Sequence, residues 1–318
     1  MNILKTIKSF FQDKKVEQKV FYICLGFVIF KVAKTCGKLF IIYYRNFIRK
    51  PKNLAKRYGS NSWALVTGSS DGLGKGFCLE LASQGFNIVL LSRNYEKNED
   101  LIKEITIMNN RIQTLNIGID FKESNRQNFF EILFEKLNHL DISILVNNVG
   151  KYDLEHFENQ DEKEIHEILS VNCFPMVFLA RKLIPSMRLR NKKSAIINIS
   201  SLISIKPCPY MAVFAASKAF VDHLSLALGK EENISKIIDV LSLRVYQVST
   251  NMIQHQKGFW ILESDECARA CLGKLGYENS TCGHWKHEII NLIYESLPES
   301  LRVSFFNHRM KRNDELLN

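Results

Sequence analysis

"WALVTGSSDGLGKG", residues 63–76, decides how the chain folds. A β-rich apolar run ends at Thr67, glycines follow at 68, 72 and 74, and a helical stretch over 74–84 begins on the last of them. Glycine lets the backbone turn sharply and approach a phosphate, and a helix N-terminus favours negative charge. A glycine triplet alone is a weak signal. Here it has a strand before it, a helix after it and a second strand ending about 20 residues on. Gly68, Ser70, Gly72, Leu73 and Gly74 are therefore expected to hold the pyrophosphate of a dinucleotide.

Outward from this loop the pattern keeps alternating. Short β-rich runs occur at "WALVT" (63–67), "NIVLLS" (87–92), "IQTLNIGI" (112–119), "ISILV" (142–146), "SAIINIS" (194–200) and "IIDVLSL" (237–243). Helical stretches such as 74–84, 96–108 and 122–138 lie between them. Continuous apolar strands, each followed by a helix, predict an α/β fold with a parallel sheet covered on both faces, doubly wound and Rossmann-like. No internal repeat or low-complexity tract interrupts it. Residues 61–318 read as one domain and residues 1–60 as a leader with a basic linker.

The second strand ends in Ser92 and Arg93, where a carboxylate would grip a bare ribose 2′-hydroxyl. A hydroxyl and a guanidinium suit a 2′-phosphate, so NADP(H) is expected over NAD(H); the alternative is an exposed surface arginine. Asp120, closing the third strand, suits an adenine amino group, or equally a cap for the helix at 122–138.

Charge separates leader from body. The 318 residues carry a net charge of +10, yet residues 1–60 hold 14 Lys and Arg against Asp13 and Glu17, a net of +12, leaving the remainder at −2. Such a distribution argues for a membrane surface and against nucleic acid. "VFYICLGFVIF" (20–30) and "LFIIYY" (39–44), separated by Lys31, Lys34 and Lys38, allow one tilted spanning helix from about 20 to 44. Ile3, Ile7 and Phe11, with Lys5, Lys8, Lys14 and Lys15 between and after them, suit an interfacial amphipathic helix. A helix covering the domain is the alternative, and a signal peptide is disfavoured because no small-residue cleavage site follows the apolar run. The eight cysteines lack the spacing of a disulfide framework. No metal site is expected either, because Cys267, Cys271, Cys282, His284 and His287 lack zinc-finger spacing.

"TGSSDGLG", "VNNVG" (146–150), "SVN" (170–172), "NISS" (198–201) and Lys218 together resemble the short-chain dehydrogenase/reductase family, from about Trp63 to Met252. "KP-x-P" at 206–209, "V-x-T-x-M" at 248–252 and the tail "GYENSTCGHWKHEI" (276–289) resemble the branch of 17β-hydroxysteroid dehydrogenases and very-long-chain 3-oxoacyl-CoA reductases. Phe214, Ala216, Ser217, Lys218 and Ala219 match the F-x-A-S-K-A of inactive hydroxysteroid-dehydrogenase-like members. The resemblance implies a catalytic set of Asn172, Ser201, a tyrosine at 214 and Lys218. It implies Ser201 toward the substrate carbonyl, Asn172 on a proton-carrying water, and Lys218 on the nicotinamide ribose, lowering the tyrosine pKa. It also implies Asn148 at the adenosine end, and Val248 and Thr250 at the nicotinamide amide.

The sequence departs from that pattern at Phe214. Phenylalanine keeps the shape of tyrosine but has no proton to give, and acid–base catalysis supplies ~10²–10⁴-fold. Cofactor binding depends little on that hydroxyl. The expected function is thus an NADP(H)-binding protein with impaired or absent reductase turnover. The alternatives are an active reductase of 3-oxoacyl-CoA or 17-ketosteroid substrates using Tyr210, Ser201 or Tyr246 as donor, and a protein that binds no dinucleotide. Val245, Tyr246 and Ile237 are lesser departures. Residues 253–275 hold the family's lid position, and the apolar "GFWILE" (258–263) suits a lipid-like ligand, fatty acyl-CoA or sterol. The apolar stretch 288–306 suits packing on the domain, a homodimer contact or lipid. The branch implies an endoplasmic reticulum membrane, its inactive members a mitochondrion.

Overall fold

The computed structural model describes residues 14–317, which fall into two compact units, one ending at Arg49 and the other beginning at Lys50. The first is a single helix, α1 (Lys14–Tyr43), continued by a π-helical turn over Tyr44–Ile48. The stretch Gln18–Ile48 is long and apolar enough to cross a membrane, and none of its apolar window is buried. At 1.5 Å per residue it measures about 45 Å, more than a hydrocarbon core of about 30 Å. The stretch over Glu162–Arg188 passes the same test of length and composition, but 56% of its window is buried, as in a core helix. The amphipathic pattern at Ile3, Ile7 and Phe11 lies outside the described residues.

In the second unit, after a short α2 (Leu54–Tyr58), the chain alternates as its pattern demands. The order is β1 (Trp63–Thr67), α3 (Gly72–Ser83), β2 (Asn87–Ser92), α4 (Tyr95–Met108), β3 (Thr114–Gly118), α5 (Phe129–Glu135) and β4 (Ile142–Asn147). It continues with α6 (Glu162–Asn172), α7 (Phe174–Arg188), β5 (Ser194–Ser201), α8 (Ala212–Leu228), α9 (Glu232–Ser235) and β6 (Ile238–Val245). Last come α10 (Ser264–Leu272), the two-residue β7 (Ser280–Thr281), α11 (Trp285–Ser296) and α12 (Glu299–Leu317). Seven parallel strands lie in the order β3-β2-β1-β4-β5-β6-β7. The order reverses between β1 and β4, and that switch opens a crevice at their carboxyl ends.

Alternate strand residues feed two cores. Ala64, Val66, Leu90 and Ile197 pack against Phe77 and Leu81 of α3 and Cys267 and Cys271 of α10. Leu65, Val89, Leu145 and Ile196 pack against Leu133 of α5 and Leu179 and Leu183 of α7. Gly76 makes the α3–α10 contact possible, since a Cβ there would lie 2.5 Å from the Ser264 carbonyl oxygen. Burial drives the thiols of Cys267 and Cys282 up to about 12, as expected of inert core cysteines.

Two elements differ from the sequence reading. The helix expected over 122–138 is broken into a 3-10 turn (Phe121–Glu123) and α5, with Asn128 between them in the left-handed region at φ 60°. Asn tolerates that region because its short polar side chain bonds locally. Asp120 caps the 3-10 turn, accepting from the Lys122 amide at 3.0 Å. The second difference is β7, whose Ser280 and Thr281 carry no apolar run to announce them.

Candidate active site

The crevice above the switch point is a cavity of about 1030 Å³. The end formed by the β1–α3 loop is built by close approach. Gly68 and Gly72 sit at φ 65° and 53°, and a Cβ on Gly72 would lie 2.5 Å from Thr250 Cγ2. A Cβ on Gly74 would overlap the Gly68 carbonyl oxygen outright. No side chain fits there, so the α3 N-terminus is pressed against the loop. Asp71 caps it, accepting from the Gly72 amide at 2.5 Å, and its carboxylate also meets Asn251 Nδ2 and, at 3.6 Å, Lys97. Thr67 Oγ1 accepts from the amides of Asn148 and Val149 at 2.9 and 3.0 Å, and Asn148 Nδ2 donates to the carbonyls of Thr67 and Gly68. These bonds tie the β1 loop to the β4 loop.

Gly68, Ser70, Gly72, Leu73, Ser92, Arg93, Asp120, Asn148, Val248 and Thr250 all line this cavity. Gly74 does not; it lies behind the wall, where its missing side chain sets the loop. Ser92 Oγ accepts from the Asn94 amide at 3.0 Å, while the Arg93 side chain is exposed at the rim. Val248 is pinned by a bridge to Leu262, and Thr250 precedes the 3-10 turn Asn251–Ile253. The glycine cradle and the cluster of donors fit a dinucleotide.

The other end gathers around α8. Phe214 and Lys218, one helical turn apart, share a face. The Lys218 Nζ lies 5.8 Å from the Phe214 ring centroid and donates to the Ile199 carbonyl at 2.9 Å. Burial lowers its pKa to about 8, opposed by the nearby Cys173 thiol. Ser201 closes β5 on the cavity wall, and the neighbouring Ser200 hydroxyl donates to the Lys218 carbonyl at 2.8 Å, fixing α8 against the strand. The Phe214 ring meets Tyr152 edge-on at 5.6 Å. Asn172, fully buried at the end of α6, does not reach the cavity. Its Nδ2 donates to the Lys151 carbonyl and to Ser217 Oγ, both at 2.9 Å, and its Oδ1 accepts from the Lys151 amide. That makes Asn172 a clamp between the β4 loop and α8.

Of the alternative donors, Tyr210 is turned away. It precedes α8 in the left-handed region at φ 64°, and its hydroxyl donates to Asn307 at 2.9 Å. Tyr246 lines the cavity with its ring 5.9 Å from His287. The lid expected from 253–275 supplies little of the wall: Phe259 and Trp260 point outward, exposed at 65% and 39%, and α10 packs on α3. The wall comes instead from the tail. Ile290, Ile293, Tyr294, Leu297, Arg302, Phe305 and Phe306, from α11, α12 and the turn between them, line the cavity, with Phe306 buried against Met211 and Phe214. Of the three uses open to the 288–306 stretch, packing on the domain is the one seen. Nothing local in the sequence marks Tyr294 and Arg302 as lining this cavity.

The family described as short chain dehydrogenase matches residues 62–258. The chain is 38% identical over 258 residues to the inactive hydroxysteroid dehydrogenase-like protein 1 of Homo sapiens, covering 79% of this chain and 76% of that one. It is 31% identical over 294 residues to a very-long-chain 3-oxoacyl-CoA reductase of Neurospora crassa, covering 89% and 86%. Among solved structures, a 7beta-hydroxysteroid dehydrogenase superposes with a TM-score of 0.70 at 22% identity, covering 80% of this chain and 100% of that one. A short-chain dehydrogenase from Sphingobium yanoikuyae in complex with NADPH superposes with a TM-score of 0.59 at 23% identity, covering 67% and 84%. With its strand order, glycine cradle and α8 lysine, this chain belongs to the short-chain dehydrogenase family.

Proposed function

We propose that this protein binds NADP(H) and a lipid-like ligand at a membrane, that of the endoplasmic reticulum, and reduces carbonyls feebly or not at all. The observation that carries this reading is Phe214 on the cavity wall, within 5.8 Å of Lys218 Nζ and without a hydroxyl. Gly68, Ser70, Gly72 and Leu73 would hold the pyrophosphate, with Gly74 setting the loop's geometry. Asn148 and Asp120 would take the adenosine end, Val248 and Thr250 the nicotinamide amide, and Lys218 the nicotinamide ribose. Ser92 and Arg93 at the rim favour a 2′-phosphate. When bound, the cofactor supplies a hydride to a ketone carbon.

The protein's own part is then to polarise the ketone oxygen and to protonate it as it becomes an alkoxide. Ser201 suits the first task, as a hydroxyl on the wall that donates a hydrogen bond. The second falls to position 214 in the family pattern, and a phenyl ring has no acidic hydrogen. Serine is too weak an acid to take over at neutral pH, and Asn172 has its amide committed to Lys151 and Ser217. The apolar tail residues in the wall suit a lipid-like ligand, and α1 suits membrane attachment. A second reading, an active reductase with another donor, draws on the Neurospora crassa relative and on Tyr152 and Tyr246 in the cavity wall.

The test is to titrate the full-length protein with NADPH and NADH, then follow NADPH absorbance with 3-oxoacyl-CoA and 17-ketosteroid substrates. NADPH is expected to bind more tightly than NADH, and no consumption above background is expected. Sustained NADPH consumption would overturn the reading in favour of the active reductase.

A further inference from the structure

The tail helices bring two polar groups into an otherwise apolar wall, and neither is satisfied. The Tyr294 hydroxyl of α11 is buried with no hydrogen-bond partner, and so is Nε of Arg302 on α12. The two groups are neighbours, with Arg302 Cζ 5.6 Å from the Tyr294 ring centroid. One guanidinium nitrogen, Nη1, donates to the Leu297 carbonyl at 2.7 Å, which anchors the side chain but leaves its charge unmatched. A buried donor without a partner has given up water and received nothing in exchange, so such groups call for an explanation.

The other cations lining the cavity have partners or a purpose at the dinucleotide end. Lys122 pairs with Glu167 at 2.7 Å, Lys151 with Glu164 and Glu167, and Lys97 with Asp71 at 3.6 Å. Arg93 and Lys218 lie where the cofactor is proposed to bind. Arg302 lines the same cavity as Ile293, Leu297, Phe305, Ile203 and Met211, with no carboxylate partner among the described residues. A guanidinium is always charged and presents several donors in a planar fork, which matches a carboxylate or phosphate.

We infer that Arg302 and Tyr294 form an anion-recognition point in the ligand pocket, so that the preferred ligand is an amphiphile with an apolar body and an anionic oxygen group. The apolar body lies along the tail helices, the anionic group accepts from the guanidinium, and the phenolic hydroxyl adds a second donor. A neutral sterol or ester would fill the same volume but leave both donors without partners, and would bind more weakly. The inference rests on the lipid-like ligand of the proposed function, and it adds the charge that ligand carries. The anionic oxygen can come from a free carboxylate or from the phosphates of an acyl-CoA, and the two sources are separable by experiment.

The test uses calorimetric titration of the full-length protein in non-ionic detergent with decanoate, methyl decanoate and decanoyl-CoA, each with NADPH binding measured in parallel. Decanoate is expected to bind about tenfold more tightly than its methyl ester. Arg302→Gln is expected to abolish that preference while leaving NADPH affinity unchanged. Arg302→Lys should retain part of the preference, and Tyr294→Phe should reduce it. Tighter binding of decanoyl-CoA than of decanoate, lost in Arg302→Gln, would assign the phosphates as the anion. Equal binding of decanoate and methyl decanoate in the wild type, no binding of any of the three, or a preference that survives Arg302→Gln would overturn the inference. Loss of NADPH binding with the acid preference intact would instead count against the proposed function alone.

Discussion

Lys218 carries its ammonium into a wall where a single backbone carbonyl, that of Ile199, is its hydrogen-bond partner. Burial removes water without replacing it by a carboxylate, so the neutral amine gains and the pKa falls from 10.5 to about 8. Because the folded value lies below the unfolded one, the unfolded chain binds more protons between the two. Stability therefore rises with pH through that window, and the cost of the buried charge is felt in full below it. Without cofactor, the wild-type melting temperature is expected to rise relative to that of Lys218→Met between about pH 8 and about pH 10.5. Parallel pH profiles for the two proteins would contradict the assignment. Asn172 carries a related lesson: its place in the family pattern suggests a water relay, while the structure commits its amide to Lys151 and Ser217.

At the scale of elements, the loop between β1 and α3 is where sequence and geometry agree most closely, because both express one constraint: backbone must pass where no Cβ fits. A methyl at Gly74 would overlap the Gly68 carbonyl, and relieving that overlap costs on the order of 1–3 kcal/mol. Gly74→Ala is expected to lower NADPH affinity about tenfold or more and to destabilise the domain. Gly258→Ala, whose new Cβ would meet only Ile261 at 3.6 Å, should do neither. Fluorescence titration and thermal melts of the two variants check this, and wild-type affinity in Gly74→Ala would contradict it. The six strands with apolar runs were legible to within two residues, since their burial on both faces writes continuous hydrophobic stretches. β7 was not legible, because two polar residues carry no pattern. The break at Asn128 was not read either, although residues 122–128, KESNRQN, are all polar and give a helix no apolar face to bury before Phe129. The tail's share of the cavity wall was equally hidden, because Phe306 meets Phe214 across 91 intervening positions and nothing local records that contact.

For the whole molecule, the basic composition runs to about residue 60 while the architecture divides between Arg49 and Lys50, so Leu54 and Tyr58 of the expected linker are buried in the second unit's core. The basic excess and the long exposed apolar helix belong to the leader, and the near-neutral parallel-sheet unit carries the cavity. The proposed division of labour is attachment by the first and binding of NADP(H) and an anionic lipid by the second. The proposed catalytic deficit concerns only one atom in that assembly. On the proposed reading, the glycine loop, Ser201 and Lys218 share one cavity with a Phe214 that has no hydroxyl, so restoring it should restore chemistry without altering binding. The decisive measurement is the rate of NADPH oxidation by Phe214→Tyr against wild type, with the same ketones at saturating NADPH. A gain of ~10²–10⁴-fold with unchanged NADPH affinity is the expected result. A wild-type enzyme that already turns over, and that Phe214→Tyr accelerates by less than about tenfold, would contradict the account.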